Sequence, residues 1–256
     1  MTAARPGPAT SYAHAFHALD PKSGSASQEV TIKLRPSAIV RGRVVGPDGQ
    51  PVRDALVISR VVLQPGWIAF LSWTANYRDE VRDGYFAVHG IAPDIEVPVY
   101  FLDAKRNLGA TALLSGRSAA SGELSVRLQP CGAARARLVD AAGKPVRHSR
   151  DSYASHMTMM VITPGPHRSS QTDAERAGLA ANQDFVTRID PSHYPKGLVS
   201  DEQGQLFLPA LIPGATYRIY DNTVGGGDDP QLRKEFTVKP GETIDLGDIV
   251  IGKPEA

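Results

Sequence analysis

The sequence predicts an all-β protein made of two β-sandwiches in tandem, the second carrying an inserted segment with a short helix. With 256 residues the chain is long enough for two domains of ordinary size. It contains 24 glycines and 20 prolines, an enrichment typical of many turns between short strands. Two blocks of sequence also recur, and in each block apolar and polar residues alternate as they do in half-buried strands.

The first repeated block covers a predicted strand, a turn and the start of the next strand. Residues 29 to 53, EVTIKLRPSAIVRGRVVGPDGQPVR, align without a gap to residues 123 to 147, ELSVRLQPCGAARARLVDAAGKPVR. Gly49 and Gly143 fall at the same place in the two copies, and glycine supplies the positive φ that a tight turn needs. Each glycine is therefore predicted to lie in a hairpin turn between two strands.

The second repeated block places a further strand between two turns. Residues 83 to 93, DGYFAVHGIAP, align with residues 203 to 213, QGQLFLPALIP. Short strands separated by turns at this spacing are typical of β-sandwiches. The sequence thus predicts one sandwich over residues 36–129 and a second over residues 130–252, joined through Leu128-Gln-Pro130. We expect each sandwich to bury its own core, with a modest interface that Pro130 stiffens.

The second copy carries an insertion at about residues 150–200. Within it, Met157 to Ile162 form a continuous apolar run that predicts a buried strand. Thr172 to Ile189 open with a capping-box pattern and continue with apolar residues four apart, which predicts one short amphipathic helix.

Residues 1–35 resemble the closing strands of a module like the two that follow. HALDPK at 17 to 22 is similar to YFLDAK at 100 to 105, and both precede the repeated strand of the first block. Two strands alone would leave unpaired edges and an exposed apolar face. We therefore expect residues 1–35 to be the remnant of a preceding module in a longer protein, with residues 28–36 docked on the first sandwich as an added edge and residues 1–12 loose.

The charge balance and the single cysteine exclude several classes of site. The 28 lysines and arginines against 27 acidic residues leave a net charge of +1, so no global field attracts nucleic acid or an acidic membrane. Cys131 is the one cysteine, which rules out an intrachain disulfide or a thiolate cluster. We expect a buried or half-buried thiol without a catalytic role. No signal-peptide segment and no apolar run of membrane-spanning length occur in the sequence.

The two halves resemble carboxypeptidase regulatory-like domains. RGRVVGPDGQPVRDALV and RDGYFAVHGIAP carry the resemblance in the first half; RARLVDAAGKPV and DEQGQLFLPALIPGATYRI carry it in the second. It implies prealbumin-like, immunoglobulin-like sandwiches of about seven strands, found as accessory modules of bacterial proteins. It also implies a non-catalytic structural spacer or a protein or carbohydrate interaction domain at the cell envelope or outside the cell. The partners would be other domains of a longer polypeptide or a surface ligand.

Other functions have weaker support in the sequence. The seven histidines form no metal-binding motif, and His156, His167 and His193 are the least unfavourable set for a metal. The sandwich opening is also similar to intradiol dioxygenases, but the histidine motif that would hold iron is missing. Trp67 and Trp73 fit a core strand better than a sugar-stacking platform. We predict no catalytic, cofactor-binding or metal-binding residue; the alternative is a divergent enzyme with its site in the 150–200 insertion.

Overall fold

The computed structural model describes residues 12, 29–59, 77–91, 96–117, 124–148, 157–162, 183–195, 197–221 and 231–252. The strands of the first half are β1 Ala38–Val45, β2 Leu56–Ser59, β3 Tyr77–Glu80, β4 Tyr85–Ile91, β5 Glu96–Asp103, β6 Leu108–Ser115, β7 Leu124–Arg127 and β8 Gln129–Pro130. The elements of the second half are β9 Gly132–Val139, β10 Met157–Ile162, β11 Gln183–Phe185, a four-residue helix α1 Val186–Ile189, β12 Gln205–Leu211, β13 Thr216–Asp221, β14 Gln231–Thr237 and β15 Thr243–Val250. The predicted all-β class is confirmed.

The strands form four sheets, two in each half. The first half contains a sheet of order β4-β1-β7 and a sheet of order β3-β2-β5-β6-β8, and the second half contains β12-β9-β15 and β11-β10-β13-β14. In the first half β1 pairs antiparallel with β4 and parallel with β7. In the second half β9 pairs antiparallel with β12 and parallel with β15. Strands from the aligned sequence blocks thus take the same places in both halves.

The glycine turns have the backbone conformation that the sequence predicts, but their role differs. Gly49 and Gly143 both have φ near +79°. The turn at Gly49 does not join two paired strands, because β1 and the following strand β2 lie in different sheets. The chain makes only one bridge after the turn, between Val45 and Pro51, before it crosses to the other sheet. The Gly46 N–H donates to the Gln50 carbonyl oxygen at 2.8 Å and the Val52 N–H donates to the Val44 carbonyl oxygen at 2.9 Å, so this bridge does not need an N–H group at Pro51.

A compact apolar cluster fills the space between the two sheets of the first half. The rings of Phe86 on β4 and Phe101 on β5 meet edge to face, with their centroids 4.9 Å apart. The cluster consists of Val40, Val44, Val52, Ala55, Val57, Val81, Phe86, Val88, Ile91, Val99, Phe101, Leu114, Val126 and Leu128. These residues come from both sheets, which therefore pack face to face as in a sandwich.

The second apolar cluster joins the two halves of the chain. It contains the buried residues of the second half together with Ile58, Tyr100 and Leu102 of the first half. On β5, Val99 and Phe101 belong to the first cluster, whereas Tyr100 and Leu102 belong to the second. Side chains alternate between the two faces of a strand, so the central sheet of the first half is covered on both faces. We call this contact the seam. The first core contains residues of the first half alone, whereas one face of the first half's sheet belongs to the second core. The expected division into two sandwiches with a modest interface stays a prediction.

The chain segment between the halves is hydrogen-bonded to both of them. Gln129 and Pro130 form β8, which pairs with Leu108 and Gly109 at the start of β6. The Gly241 N–H of the second half donates to the Pro130 carbonyl oxygen at 3.0 Å. The junction is therefore held by backbone pairing on both sides in addition to the fixed φ of proline.

Two expectations about the inserted segment have different outcomes. The strand predicted from Met157 to Ile162 is confirmed as β10, which lies between β11 and β13. The helix predicted from Thr172 to Ile189 is contradicted at Gln183–Phe185, which pairs with β10 as β11, whereas Val186–Ile189 is helical. The other part of that prediction lies outside the described residues. Pairing with β10 satisfies the backbone groups of residues 183–185, which overrides the helical spacing of the apolar residues.

The expected edge strand at residues 28–36 does not form within the described residues. Residues 29–35 are in no strand, and Ile32 and Leu34 are each 52% exposed. Both sides of β1 are already paired with β4 and β7, so the segment before it has no free strand there to pair with. Pro36 makes one isolated bridge with Tyr12. We also expect residues 1–12 to be loose. Apart from Tyr12, these residues lie outside the described ones, so this expectation stays a prediction.

Truncating Leu102 tests whether the seam couples the two halves. Leu102 is 1% exposed and belongs to the shared cluster. Leu102→Ala is expected to lower the free energy of unfolding by about 2–5 kcal/mol, the cost of a buried leucine deletion. Denaturant unfolding followed by tryptophan fluorescence and circular dichroism should show one transition shifted as a whole.

The matched control is Leu113→Ala on the neighbouring strand β6. Leu113 is 61% exposed, so its truncation should change the free energy of unfolding by less than about 0.5 kcal/mol. The shared core would be contradicted if the two variants lost the same free energy of unfolding. It would also be contradicted if Leu102→Ala unfolded in two transitions and only one of them were shifted.

Candidate functional site

The most polar part of the interior lies beside the seam, around Cys131. Cys131 sits between β8 and β9, is 5% exposed, and donates its backbone N–H to the Asn107 carbonyl oxygen at 2.8 Å. Burial raises the pKa of its thiol to about 12, and the negative charges of Asp190 and Asp103 add to that effect. The expectation of a buried thiol is confirmed. Such a thiol stays protonated at neutral pH, whereas a nucleophilic cysteine needs a lowered pKa.

Asp103 is a buried acid whose hydrogen bonds are supplied by a nearby turn. It is the last residue of β5 and is 2% exposed. Its carboxylate accepts the Arg106 backbone N–H at 3.1 Å and the Arg106 Nε–H at 2.6 Å. Through these two bonds the carboxylate anchors the turn between β5 and β6.

Asp221 takes the corresponding place in the second half, as the last residue of β13. It is fully buried. Its Oδ2 accepts the Arg233 Nη2–H at 2.9 Å and the Gly252 backbone N–H at 2.8 Å. Arg233 Nη2 also donates to the Gly252 carbonyl oxygen at 3.0 Å. This carboxylate therefore ties the end of β15 to the other sheet of the second half.

Within the described part of the insertion, Asp190 and His193 are the one carboxylate–imidazole pair. General bases in enzymes use pairs of this kind. Asp190 directly follows α1 and is 2% exposed. Its Oδ2 lies 2.7 Å from His193 Nδ1, and its Oδ1 accepts the His193 backbone N–H at 3.1 Å. A carboxylate on Nδ1 fixes the ring orientation and leaves Nε2 as the acceptor of the neutral imidazole. The arrangement could move a proton, but the nearby thiol of Cys131 is not activated for attack.

Two buried tyrosines complete the polar interior near Cys131. The Tyr194 hydroxyl donates to the Pro209 carbonyl oxygen at 2.6 Å, and the Tyr217 hydroxyl oxygen accepts the Ile212 backbone N–H at 2.7 Å. Burial is the main cause that raises the pKa of both phenols well above the ordinary value. Both rings therefore stay neutral and hold the chain around the end of β12. The chemistry of this interior is that of structural hydrogen bonding.

The histidines singled out for metal binding do not meet in the described structure. His14, His17, His156 and His167 lie outside the described residues, and so do both tryptophans. His148 is buried and donates its backbone N–H to Ser200 Oγ at 2.8 Å. Among the described residues no group of three or more histidine, cysteine, aspartate and glutamate side chains is placed to hold a metal ion.

Sequence reasoning missed the buried acids, although one signal could have found two of them. Asp103 and Asp221 each end a strand with buried apolar residues, in YFLD and in RIYD, at corresponding places of the two halves. An acid at the same strand end in both copies indicates a shared structural bond. Asp190 and His193 carry no such signal, because their pairing depends on where α1 ends.

Comparison with known proteins provides no family assignment. No family model matches the sequence, and no curated protein matches it. The resemblance to carboxypeptidase regulatory-like domains therefore stays a prediction. Among the described residues, no helix has the length and apolar character needed to cross a membrane.

Several solved structures of bacterial pilins are similar to this chain at a low level. The shaft pilin SpaA of Lactobacillus rhamnosus GG is 14% identical, with 86% of this chain and 99% of that chain covered and a TM-score of 0.27. A streptococcal ancillary pilin is 12% identical over 88% of this chain and 66% of that chain, with a TM-score of 0.29. The full-length RrgB pilus protein of Streptococcus pneumoniae is 12% identical over 86% and 48%, with a TM-score of 0.22. Scores of this size carry no argument about function.

The state of Cys131 can be measured directly with a thiol reagent. Because its thiol is buried and its pKa is raised to about 12, the native protein at pH 8 is expected to react with Ellman's reagent at least about 100-fold more slowly than the protein unfolded in guanidinium chloride. The unfolded chain supplies the matched control, since it exposes the same thiol. Equal rates in the two states would show that the thiol is accessible and would contradict the buried site.

Alkaline pH should weaken the fold through the same groups. The folded protein keeps the Cys131 proton up to a pKa of about 12, whereas an exposed thiol has a value of 9.0. The thiol therefore contributes its full stability below pH 9, and this contribution is lost as the pH rises from 9 to 12. The free energy of unfolding should fall by up to about 1.4 kcal/mol per pH unit for this group, with Tyr194 and Tyr217 adding to the fall above pH 10.

The variant Cys131→Ala separates the thiol from the tyrosines. Its unfolding free energy should depend less steeply on pH between 9 and 10 than that of the wild-type chain, because the thiol no longer titrates. Parallel pH curves for the two proteins in denaturant titrations would contradict the assigned cause.

Proposed function

We propose that this protein is a non-catalytic structural module that holds the parts attached to it at a fixed separation within a larger bacterial protein. It consists of two prealbumin-like sandwiches of the carboxypeptidase regulatory-like type, over residues 36–129 and 130–252, with residues 1–35 belonging to a preceding module. Its place is the cell envelope or the extracellular space. The observation that carries the proposal is the seam, which makes the two halves one rigid body.

The matching sheet order of the two halves supports a duplicated module. Each half has a three-stranded sheet in which the central strand pairs antiparallel on one side and parallel on the other. Each half also has a second sheet in which its third, second, fifth and sixth strands lie side by side, as β3-β2-β5-β6 in the first half and as β11-β10-β13-β14 in the second, and β8 is added to the sheet of the first half. The two aligned blocks of sequence supply β1 and β4 in the first half and β9 and β12 in the second.

The rigidity of the seam follows from the burial of its apolar side chains. Ile58, Tyr100 and Leu102 are between 1% and 6% exposed. A hinge motion that separated the halves would expose them to water at a cost of about 1.5–3 kcal/mol for each large apolar side chain. Thr111 Oγ1 also donates to the Pro213 carbonyl oxygen across the seam at 2.9 Å. Interfaces between freely moving domains are usually smaller and more polar.

The interior chemistry also supports a structural role. The thiol of Cys131 and the phenols of Tyr194 and Tyr217 have raised pKa values and hold their protons at neutral pH. The buried carboxylates of Asp103 and Asp221 are bonded to arginines and backbone N–H groups. Groups in these states stabilise a fold, whereas catalysis requires groups poised to exchange protons or attack a substrate.

Distance measurements between spin labels test the rigidity. Gln50 and Lys144 are exposed residues at corresponding turns of the two halves, so Gln50→Cys combined with Lys144→Cys places one label on each half. Double electron–electron resonance should give a single narrow distance distribution, because the seam prevents hinge motion.

Two controls make that measurement decisive. Gln50→Cys combined with Lys105→Cys places both labels on the first half and gives the width that label motion alone produces. The unmodified chain should take up no label at the buried Cys131. A distribution between the halves that is clearly broader than the one within the first half would overturn the spacer proposal.

A further inference from the structure

Residues 29–35, which precede β1, have the sequence of a strand that completes a sheet. In the gapless repeat they align with residues 123–129, which contain β7 and the start of β8. β7 pairs parallel with β1 at the edge of the three-stranded sheet of the first half. In the second half β15 pairs parallel with β9 at the same place. Each half is therefore completed by a strand beside its first strand, which we call its closing strand.

We call residues 29–35 the exposed segment, because its apolar residues face water. Val126 and Leu128, in and just after β7, are 6% and 0% exposed and belong to the first core. Their counterparts Ile32 and Leu34 are each 52% exposed, and the segment is in no strand. Burial of apolar side chains is the main favourable contribution to folding and association. The exposed segment would thus be stabilised by a partner that covers these two side chains.

The exposed segment cannot close a sheet of its own half. Two residues, Pro36 and Ser37, separate it from β1, whereas two parallel strands need a connection of about a dozen residues or more. The place beside β1 is also taken by β7, and the place beside β9 is taken by β15. A second copy of this chain has the same two places filled. The partner that fits is a further sandwich in which the place of the closing strand is empty.

The connection from the exposed segment to β1 matches the connection between the two halves. β1 and β9 begin and end at the same positions of the sequence repeat. Between the halves, Leu108 pairs antiparallel with Pro130 at the end of the closing strand. Ahead of β1, Tyr12 makes an antiparallel bridge with Pro36, the counterpart of Pro130. In both connections a residue from an earlier part of the chain thus pairs with the equivalent proline.

We propose that the exposed segment is the closing strand of a further sandwich of the same type, which has no closing strand of its own. The segment lies parallel beside the first strand of that sandwich. Ile32 and Leu34 enter its core, and Thr31 and Lys33 lie on its outer face, as Ser125 does in β7. The transferred strand joins the two sandwiches without a flexible linker.

This proposal rests on the duplicated module of the proposed function and does not depend on the rigidity of the seam. A hinge motion between the two halves would overturn the spacer and leave the transfer of the strand unchanged. Failure of the exposed segment to close a sandwich would overturn the transfer and leave the spacer unchanged.

A chain with an added sandwich tests the proposal. Residues 1–28 are replaced by a copy of residues 36–122, so the added sandwich lacks a closing strand and leads directly into Glu29. Hydrogen exchange measured by mass spectrometry reports on the exposed segment. Its backbone amides should exchange at least about 100-fold more slowly in the extended chain than in the wild-type chain, because strand pairing and burial protect them.

The positive control is the same extended chain with the sequence of the proven closing strand in the exposed segment. The substitutions are Val30→Leu, Thr31→Ser, Ile32→Val and Lys33→Arg. This control shows whether the added sandwich folds when it receives a strand that closes the first half. Protection in the control together with fast exchange in the first extended chain would overturn the proposal.

Two matched pairs of substitutions in the extended chain test which side chains close the sandwich. Ile32→Gln with Leu34→Gln should abolish the protection, because a buried amide without a hydrogen-bond partner is costly. Thr31→Gln with Lys33→Gln changes the outer face and should keep the protection. Protection that survives the first pair, or equal loss in both pairs, would overturn the assignment. In the wild-type chain both pairs should leave the urea midpoint of unfolding within about 0.3 M, since the four positions are exposed.

An exchange in the full-length chain decides the case in which neither extended chain is protected. Leu124→Val, Ser125→Thr, Val126→Ile and Arg127→Lys give β7 the sequence of the exposed segment. The urea midpoint should shift by less than about 0.5 M, because apolar residues of similar volume replace one another. Val126→Gln is the comparison and should lower the midpoint by at least about 1 M. A small shift would support the exposed segment as a closing strand, and a shift as large as that of Val126→Gln would overturn the proposal.

Discussion

The structure depends on the burial of both faces of one sheet. On β5 the odd-numbered side chains Val99 and Phe101 complete the core of the first half, and the even-numbered side chains Tyr100 and Leu102 enter the core of the second. An antiparallel sheet with one face in solvent would show a polar residue at every second position. Because β5 is apolar on both faces, neither half can reach its most stable state without the other.

Backbone hydrogen bonds make the same connection at the junction. The chain leaves the first half as β8, a strand paired with β6, and the Pro130 carbonyl group in β8 accepts a hydrogen bond from the Gly241 N–H of the second half. A linker that is itself part of a sheet cannot act as a hinge without breaking that pairing. The apolar contact and the polar contact therefore restrict the same motion between the halves.

The two halves share a framework and differ in the chemistry of their surfaces. Buried acids end β5 and β13 at corresponding places, but their partners differ, since Asp103 binds Arg106 in the next turn and Asp221 binds Arg233 and Gly252. On the outer faces the difference is larger, because Ser125 stands where the second half has Asp248. Surface positions can diverge in this way because they cost the fold little.

The sequence by itself determined the all-β class, strands such as β1 and β10, and the positive φ at the glycine turns. These features depend on neighbouring residues, such as the alternation in AIVRGRVV and the positive φ at Gly49 and Gly143. The burial of Cys131 was also predictable, since a lone cysteine in an apolar context is usually a small core residue.

Only the tertiary structure decided which sheet each strand joins and which surfaces meet. The apolar residues of β5 do not reveal which of two cores they enter, and the helical spacing before Ile189 gave way to pairing with β10. The contact of Asp190 with His193 and the neutralisation of Arg137 by Asp248 likewise depend on strand register and on where a helix ends. Such contacts join residues that are adjacent in space because of the whole fold, and local patterns carry no information about them.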